Sequence, residues 1–176
     1  MSNDIQQNSR DQALILPAFG KSPELYLEMS VIREAEQRLI ESKTVSPVTF
    51  TELNYTFNES YRLLKQHLSN LGFQLTLAEK ELELAKADVL FGAFAEYMQN
   101  KPKIQDNSDT RKAFYARDSA CNAALDRINQ LKAIISNFEG KVKVLENTVK
   151  YMKQKMYLVS SSGLGNDKLY TTYGRK

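Results

Sequence analysis

The chain has 176 residues, 42% of them apolar, with one Cys, one His, no Trp and a net charge of +3. That length admits one domain, or one extended helical assembly with tails. A lone Cys excludes an intrachain disulfide, no apolar run is long enough to span a membrane, and the polar start MSNDIQQNSRDQ is not a signal peptide, so the expected setting is a reducing cytoplasm.

Residues 1–21 are rich in Asn, Gln, Asp and Ser, with one apolar patch at Ala13–Leu16 stopped by Pro17. They read as a mobile N-terminal arm whose patch could dock on a neighbour. Ser22-Pro23-Glu24 reads as a helix start, with a capping hydroxyl, Pro in the first turn and an acid at the positive dipole end. The helix expected over about 23–43 places Leu25, Met29, Ile32 and Leu39 on one face, and Ser46-Pro47 breaks it.

Thr49 followed three residues on by Glu52 is the signature of a capping box, and a second helix is expected over about 50–100. Its apolar residues run Phe57, Tyr61, Leu64, Leu68, Leu71, Leu75, Ala78, Leu82, Ala85 and Val89, then Gly92 and Glu96, in steps that alternate three and four. A polar link follows, with Ser108 or Asp109 as the next cap. The closing helix, expected over 110–159, keeps the same alternation from Phe114 through Arg117, Cys121, Leu131, Phe138, Leu145 and Met152 to Val159. A period of 3.5 is one apolar seam that needs a partner helix, here about 70 Å long at 1.5 Å per residue. Ser and Gly in SSSGLGNDKLYTTYGRK make residues 160–176 a flexible basic tail.

Two long seams on a short link predict an antiparallel hairpin. The expected fold is therefore all-α, a long two-helix coiled-coil hairpin with an additional N-terminal helix, residues 22–159 forming the helical domain. Pairing seam residues whose numbers sum to 213 sets Leu82 on Leu131, Leu75 on Phe138 and Gly92 on Cys121. It also sets the two charged seam residues, Glu96 and Arg117, on each other. Flanking positions then pair Glu79 with Lys132, Asp88 with Arg127 and Lys65 with Glu146, surface contacts whose role is choice of register.

Catalytic chemistry has little to stand on. His67 is alone, Glu79, Glu81 and Glu83 do not all share a helix face, and no phosphate-binding loop, Cys pair or nucleophile motif occurs. No catalytic residue, metal ligand or cofactor is expected. Charge is more informative: residues 50–100 carry a net −3 and residues 110–159 a net +6. Lys141, Lys143, Lys150, Lys153 and Lys155 crowd the end of the closing helix with Tyr151 and Tyr157 among them, and the tail adds Lys168 and Arg175. Phosphates attract Lys and Arg, and unpaired bases stack on aromatic faces. Lysines at a helix C-terminus also suit the dipole, and a coiled coil needs a solvated face, so the run reads equally as a solvated helix end. Leu77, Leu84, Phe91 and Phe94, with Leu125, Ile134 and Tyr151, form a second apolar edge that the first helix or another copy must cover.

The acidic-then-basic stretch LAEKELELAKADVLFG, the polar link and the closing DRINQLKAIISNFEGKVKVLENTVKYMKQKM resemble phage recombination mediators of the UvsY-like family, over roughly residues 64–159. The resemblance implies a small, helical, cytoplasmic homo-oligomer that binds single-stranded DNA and helps load a recombinase in place of a single-strand binding protein. Where such proteins carry Lys-x-Arg on the earlier helix, this chain has Lys86-Ala87-Asp88, which shifts the expected contact to the closing helix and tail. The competing expectation is a structural or adaptor coiled coil, a virion or scaffold component without nucleic-acid binding.

Overall fold

A computed structural model describes residues 13–101 and 106–171, with side chains to Ser161. The protein is all-α, 83% helical. Strand β1 (Ala13–Leu16) and strand β2 (Leu25–Glu28) form a two-stranded sheet. Helix α1 (Ser30–Arg38) runs into a 3₁₀ turn at Leu39–Thr44. Helix α2 (Pro47–Val89) continues through a π-turn at Leu90–Phe94 into α3 (Ala95–Asn100). Helices α4 (Ser108–Tyr115) and α5 (Ser119–Thr171) complete the order.

Residues 13–29 differ from expectation. The patch at 13–16 is a strand rather than part of a mobile arm, and the helix expected from about 23 begins at Ser30. β2 shows side-chain alternation, with Leu27 sealed from water between exposed Tyr26 and Glu28, and in β1 Leu16 is sealed while Ile15 faces out. Between the strands, Phe19 and Ser22 exchange backbone hydrogen bonds of 3.0 and 2.8 Å, so Ser22 closes a turn instead of capping a helix. Residues 1–12 of the expected arm lie outside the described residues.

Ser46-Pro47, expected to end a helix, starts one. The Ser46 N–H donates to Thr49 Oγ1 at 3.0 Å and the Thr49 N–H donates to Ser46 Oγ at 3.3 Å, a reciprocal cap with Pro at the first helical position. Glu52 is thereby released from the capping role. It accepts from Arg38 at 2.8 Å, and the same guanidinium reaches Glu41 at 3.2 Å.

The seam is interrupted twice. Val89 and Phe94 are both buried, a step of five residues. The π-turn accommodates that step: Gly92 takes φ −98° and ψ −107°, and one extra residue fits into the turn. Phe94 enters the core, edge-on to Phe114 at 5.2 Å, while Gly92 and Glu96 are exposed. Gly92 therefore does not face Cys121. The second interruption is at residues 116–118, where the expected unbroken closing helix splits into α4 and α5. Asp118 accepts from the Cys121 N–H at 2.8 Å, an N-cap that starts α5, and Arg117 lies exposed at the break. α4 is capped by Asn107, whose Oδ1 accepts from Asp109 and Thr110 at 3.0 and 2.9 Å. At its far end α5 runs to Thr171 rather than stopping at Val159. Extending a helix already formed costs each Gly only about 1 kcal/mol.

The described residues divide into two compact units. The first takes the opening residues of β1, Glu28–Gln66 and α5 from Phe138 onward. Its core holds Met29, Ile32, Ala35 and Val45 with Leu53, Phe57 and Leu64 of α2 and Phe138, Val142, Leu145 and Met152 of α5. The second takes Ile15–Leu27 and His67–Asn137. There Leu71 and Ala78 of α2 are buried with Cys121, Ala124, Ile128 and Leu131 of α5. Burial pushes the Cys121 thiol up, and the hydrogen bond to Asp118 adds to that. The turn between the strands is tied down in the second unit. Gln74 donates to the Pro23 carbonyl at 3.3 Å, the Lys21 N–H to Glu81 at 3.1 Å and Arg127 to the Pro17 carbonyl at 2.9 Å. Gly20, at φ +54°, lies so close to Glu81 that a Cβ would meet its carboxyl carbon at 2.7 Å.

Two outcomes test this account. Phe94→Ala should cost about 3–5 kcal/mol in urea denaturation, whereas deleting Gly92, which restores a four-residue step from Val89 to the same Phe, should change stability by only about 1 kcal/mol. Gly20→Ala forces a left-handed Ala and displaces Glu81, and its midpoint should fall by the equivalent of about 1–2 kcal/mol.

Candidate nucleic-acid interface

Along the last turns of α5 the side chains beside the core sort into two stripes on either side of the buried row Phe138, Val142, Leu145 and Met152. One stripe steps by three and four through Lys143, Glu146, Lys150, Lys153 and Tyr157. The other steps the same way through Lys141, Val144, Thr148, Tyr151, Lys155 and Leu158. At this spacing the two lie nearly opposite each other on the helix, so the expected cluster of five lysines is two groups.

The second group is occupied. Lys141 forms an ion pair and hydrogen bond with Glu36 of α1. Lys155 donates to the Lys43 carbonyl at the end of the 3₁₀ turn, 2.6 Å away, and lies 6.0 Å from the centre of the Tyr151 ring. Both cations tie the N-terminal segment of the first unit to α5. Lys43 precedes the Ser46 cap by one short loop, so its carbonyl sits at a helix-like C-terminus that suits a cation.

The first group is open. Lys143, Lys150 and Lys153 are exposed and have no ion-pair partner among the described residues, and the Tyr157 ring is 75% exposed. Lys150 and Lys153 rim a groove of about 540 Å³ that runs between α2 and α5 within the first unit. Its floor is Phe57, Tyr61, Leu145 and Val149, with Asn58, Glu146 and Gln154 on the walls. Lys65 lies 5.4 Å from the centre of the Tyr61 ring, adding a cation from α2. The arrangement is a largely apolar trough lined by the Tyr61 side chain, with Lys150 and Lys153 along it and Lys65 beside the Tyr61 ring.

Tyr61, Asn58 and Lys65 were not expected here. Tyr61 read as one more seam residue, and Lys65 as a register partner of Glu146. The available signal was a Tyr at a seam position, since a phenol cannot be fully buried without a partner for its hydroxyl and so marks a wet edge of the seam.

The register residues fare differently from one another. In the second unit Glu79 and Lys132 are 3.9 Å apart, both half-exposed or more. Glu96 and Arg117 are exposed and form no ion pair among the described residues. Arg127 is buried and donates to Pro17 and, at 3.0 Å, to Gln130, while Asp88 stays exposed. Its burial pulls the Arg127 guanidinium below its ordinary range. His67, expected on a flanking position, is buried. Lys168 belongs to the helical backbone beyond the described side chains, and Arg175 lies outside the described residues.

Among the described residues no group of three His, Cys, Asp or Glu side chains could hold a metal ion, and no helix is long and apolar enough to cross a membrane. No family model, curated protein or solved structure matches the chain.

If Lys141 is structural, Lys141→Ala should lower the unfolding free energy by about 1 kcal/mol, and amide exchange should quicken in α1 while the groove residues keep their protection.

Proposed function

We propose that the protein is a non-enzymatic single-stranded DNA-binding protein that acts as a homo-oligomer. Its contact surface is the groove of the first unit with the Lys143–Lys150–Lys153 stripe. The observation that carries this reading is the juxtaposition of unpaired Lys150 and Lys153 with an apolar trough that Tyr61 lines, Lys143 continuing the same stripe of α5. Lys143, Lys150, Lys153 and Lys65 hold phosphates, Tyr61 stacks a base inside the groove, and Tyr157 offers a second ring further along α5. Lys168 and Arg175 extend the same charge toward the C-terminus. The mediator role, loading a recombinase onto DNA held by a single-strand binding protein in the cytoplasm, rests on the helix and charge pattern of residues 64–159.

A second reading takes the same groove as a slot for an amphipathic helix of another protein, which would make the chain a structural or adaptor coiled coil. The apolar floor of Phe57, Leu145 and Val149 favours it. The two readings separate on salt, because only a polyelectrolyte releases counterions in proportion to its phosphates.

Fluorescence anisotropy with a labelled single-stranded oligonucleotide, beside a duplex control, decides between them. Changing Lys143, Lys150 and Lys153 together to Ala should make the plot of log affinity against log salt shallower by about 2, at about 0.7 per phosphate contact. Tyr61→Ala should weaken binding by about 5- to 150-fold, the range of about 1–3 kcal/mol for one stacked base. Lys155→Ala should change affinity by less than about fivefold, the equivalent of about 1 kcal/mol, since its ammonium is engaged by the Lys43 carbonyl. Wild-type protein that ignores the single strand at low salt would sink the reading and leave the helix slot.

A further inference from the structure

Helix α2 and the π-turn after it carry apolar residues on a face that the described residues leave largely exposed. Phe73, Leu77, Lys80, Leu84, Ala87 and Phe91 follow one another in steps of four, three, four, three and four, all within the second unit. That is a complete seam of period 3.5, separate from the one that buries Leu71, Ala78 and Val89. Phe73 is 63% exposed, Leu84 52% and Phe91 86%, while Leu77 and Ala87 are half-buried. Phe91, the last knob of the row, precedes Gly92 and keeps the phase of α2, while the π-turn carries Phe94 inward. From Phe73 to Phe91 the row is about 27 Å long at 1.5 Å per residue, enough for six interlocking layers.

The single charged member of the row selects the occupant. In a parallel pair Lys80 would meet Lys80 of the other chain inside the seam. In an antiparallel pair the layers join residues whose numbers sum to 164, so Phe73 meets Phe91, Leu77 meets Ala87, and Lys80 meets Leu84. Lys80 has no ion-pair partner among the described residues. With Thr76, Glu79, Glu83 and Leu84 it lines a shallow notch of about 530 Å³. In the antiparallel register each Lys80 stem lies on the opposing Leu84 and its ammonium reaches the opposing Glu83. A cation then sits in an acidic notch on both sides of a two-fold axis, as an isologous interface requires.

We propose that this row is the self-association surface of the protein, and that two copies pair through it as antiparallel α2 helices. The proposal rests on the homo-oligomer part of the function proposed above and names its interface. The DNA groove belongs to the first unit and the row to the second, so one surface can be altered without touching the other.

The test uses the full-length chain. Sedimentation equilibrium of the wild type should give a mass at least twice 20.1 kDa. Leu84→Glu with Phe91→Glu, both at exposed positions, should weaken self-association by more than 100-fold with an unchanged circular dichroism spectrum. Direction is tested in a Cys121→Ser background by co-expressing Leu77→Cys and Ala87→Cys chains that carry different tags. The mixed pair should form a disulfide, and neither variant should form one with itself. Retention of wild-type mass by the double Glu variant would overturn this interface while the oligomer reading stands. A wild type of 20.1 kDa at every concentration would overturn both. Disulfides within either single-Cys variant would reject the antiparallel register.

Discussion

One row of side chains governs the rest. Ala124, Leu131, Phe138, Leu145 and Met152, seven residues apart along α5, are each no more than 3% exposed. Burying the four larger ones is worth about 2 kcal/mol apiece, provided that every seventh residue stays in phase and a second apolar surface covers it. Within each unit a stretch of α2 supplies that cover, through Leu53, Phe57 and Leu64 in the first and Leu71 and Ala78 in the second. The capped ends, the π-turn and the ties from the N-terminal segment all serve to keep the row dry over its length.

That constraint also sorts the charges. A helix with one face sealed has two flanks, and on the last turns of α5 they have met different fates. One flank is closed by α1 and the 3₁₀ turn, and its lysines are spent as fasteners on Glu36 and the Lys43 carbonyl. The other is left open above Tyr61, and its lysines have no ion-pair partner among the described residues. The same division shows on α2. Ser60, His67 and Gln74, also seven apart, are buried polar residues, and Gln74 uses that position to hold the Pro23 carbonyl. Tyr61, Leu68 and Leu75, one residue on, remain half-exposed. A polar row is the natural seat for a strand turn with carbonyls to satisfy, and a poor one for a second long helix.

Much of this was legible in the sequence because a period of 3.5 held for tens of residues is difficult to produce by chance. The two long helices, their apolar rows and the nearness of Glu79 to Lys132 follow from counting. What counting could not show was loss of phase. The seam reads through Gly92 and Glu96 with no irregularity in its steps, and only the demand of Phe94 for a buried place beside Phe114 shows that one residue is surplus. Asp118 was visible as a cap former, but an uninterrupted apolar rhythm hid the break it makes. The strands were missed because four residues are too few to set an alternation of two apart from a helical face, and Ser22-Pro23-Glu24 matches a helix start in every local respect. The groove was half legible. Its lysines stood out by number, but only the turn of α5 divides them, and Tyr61 arrives from a distant part of the chain.

The π-turn also bears on ancestry. A helix that gains one residue must either rotate everything beyond it by about 100°, moving each later side chain off its face, or gather the surplus into a single wide turn. Leu90–Phe94 has the geometry of the second outcome, one surplus residue gathered into a single turn. Homologous chains should then differ in length by one at this point, those without the extra residue running an unbroken α-helix from Val89 to the Phe94 equivalent. An alignment built on the heptad alone would set that gap in the loop before α4, where gaps are customary, and would mismatch every residue between. Placed inside the helix, the gap keeps Phe94 on the core and leaves Phe91, which precedes Gly92, on the outer face of α2 where the earlier residues of its row lie.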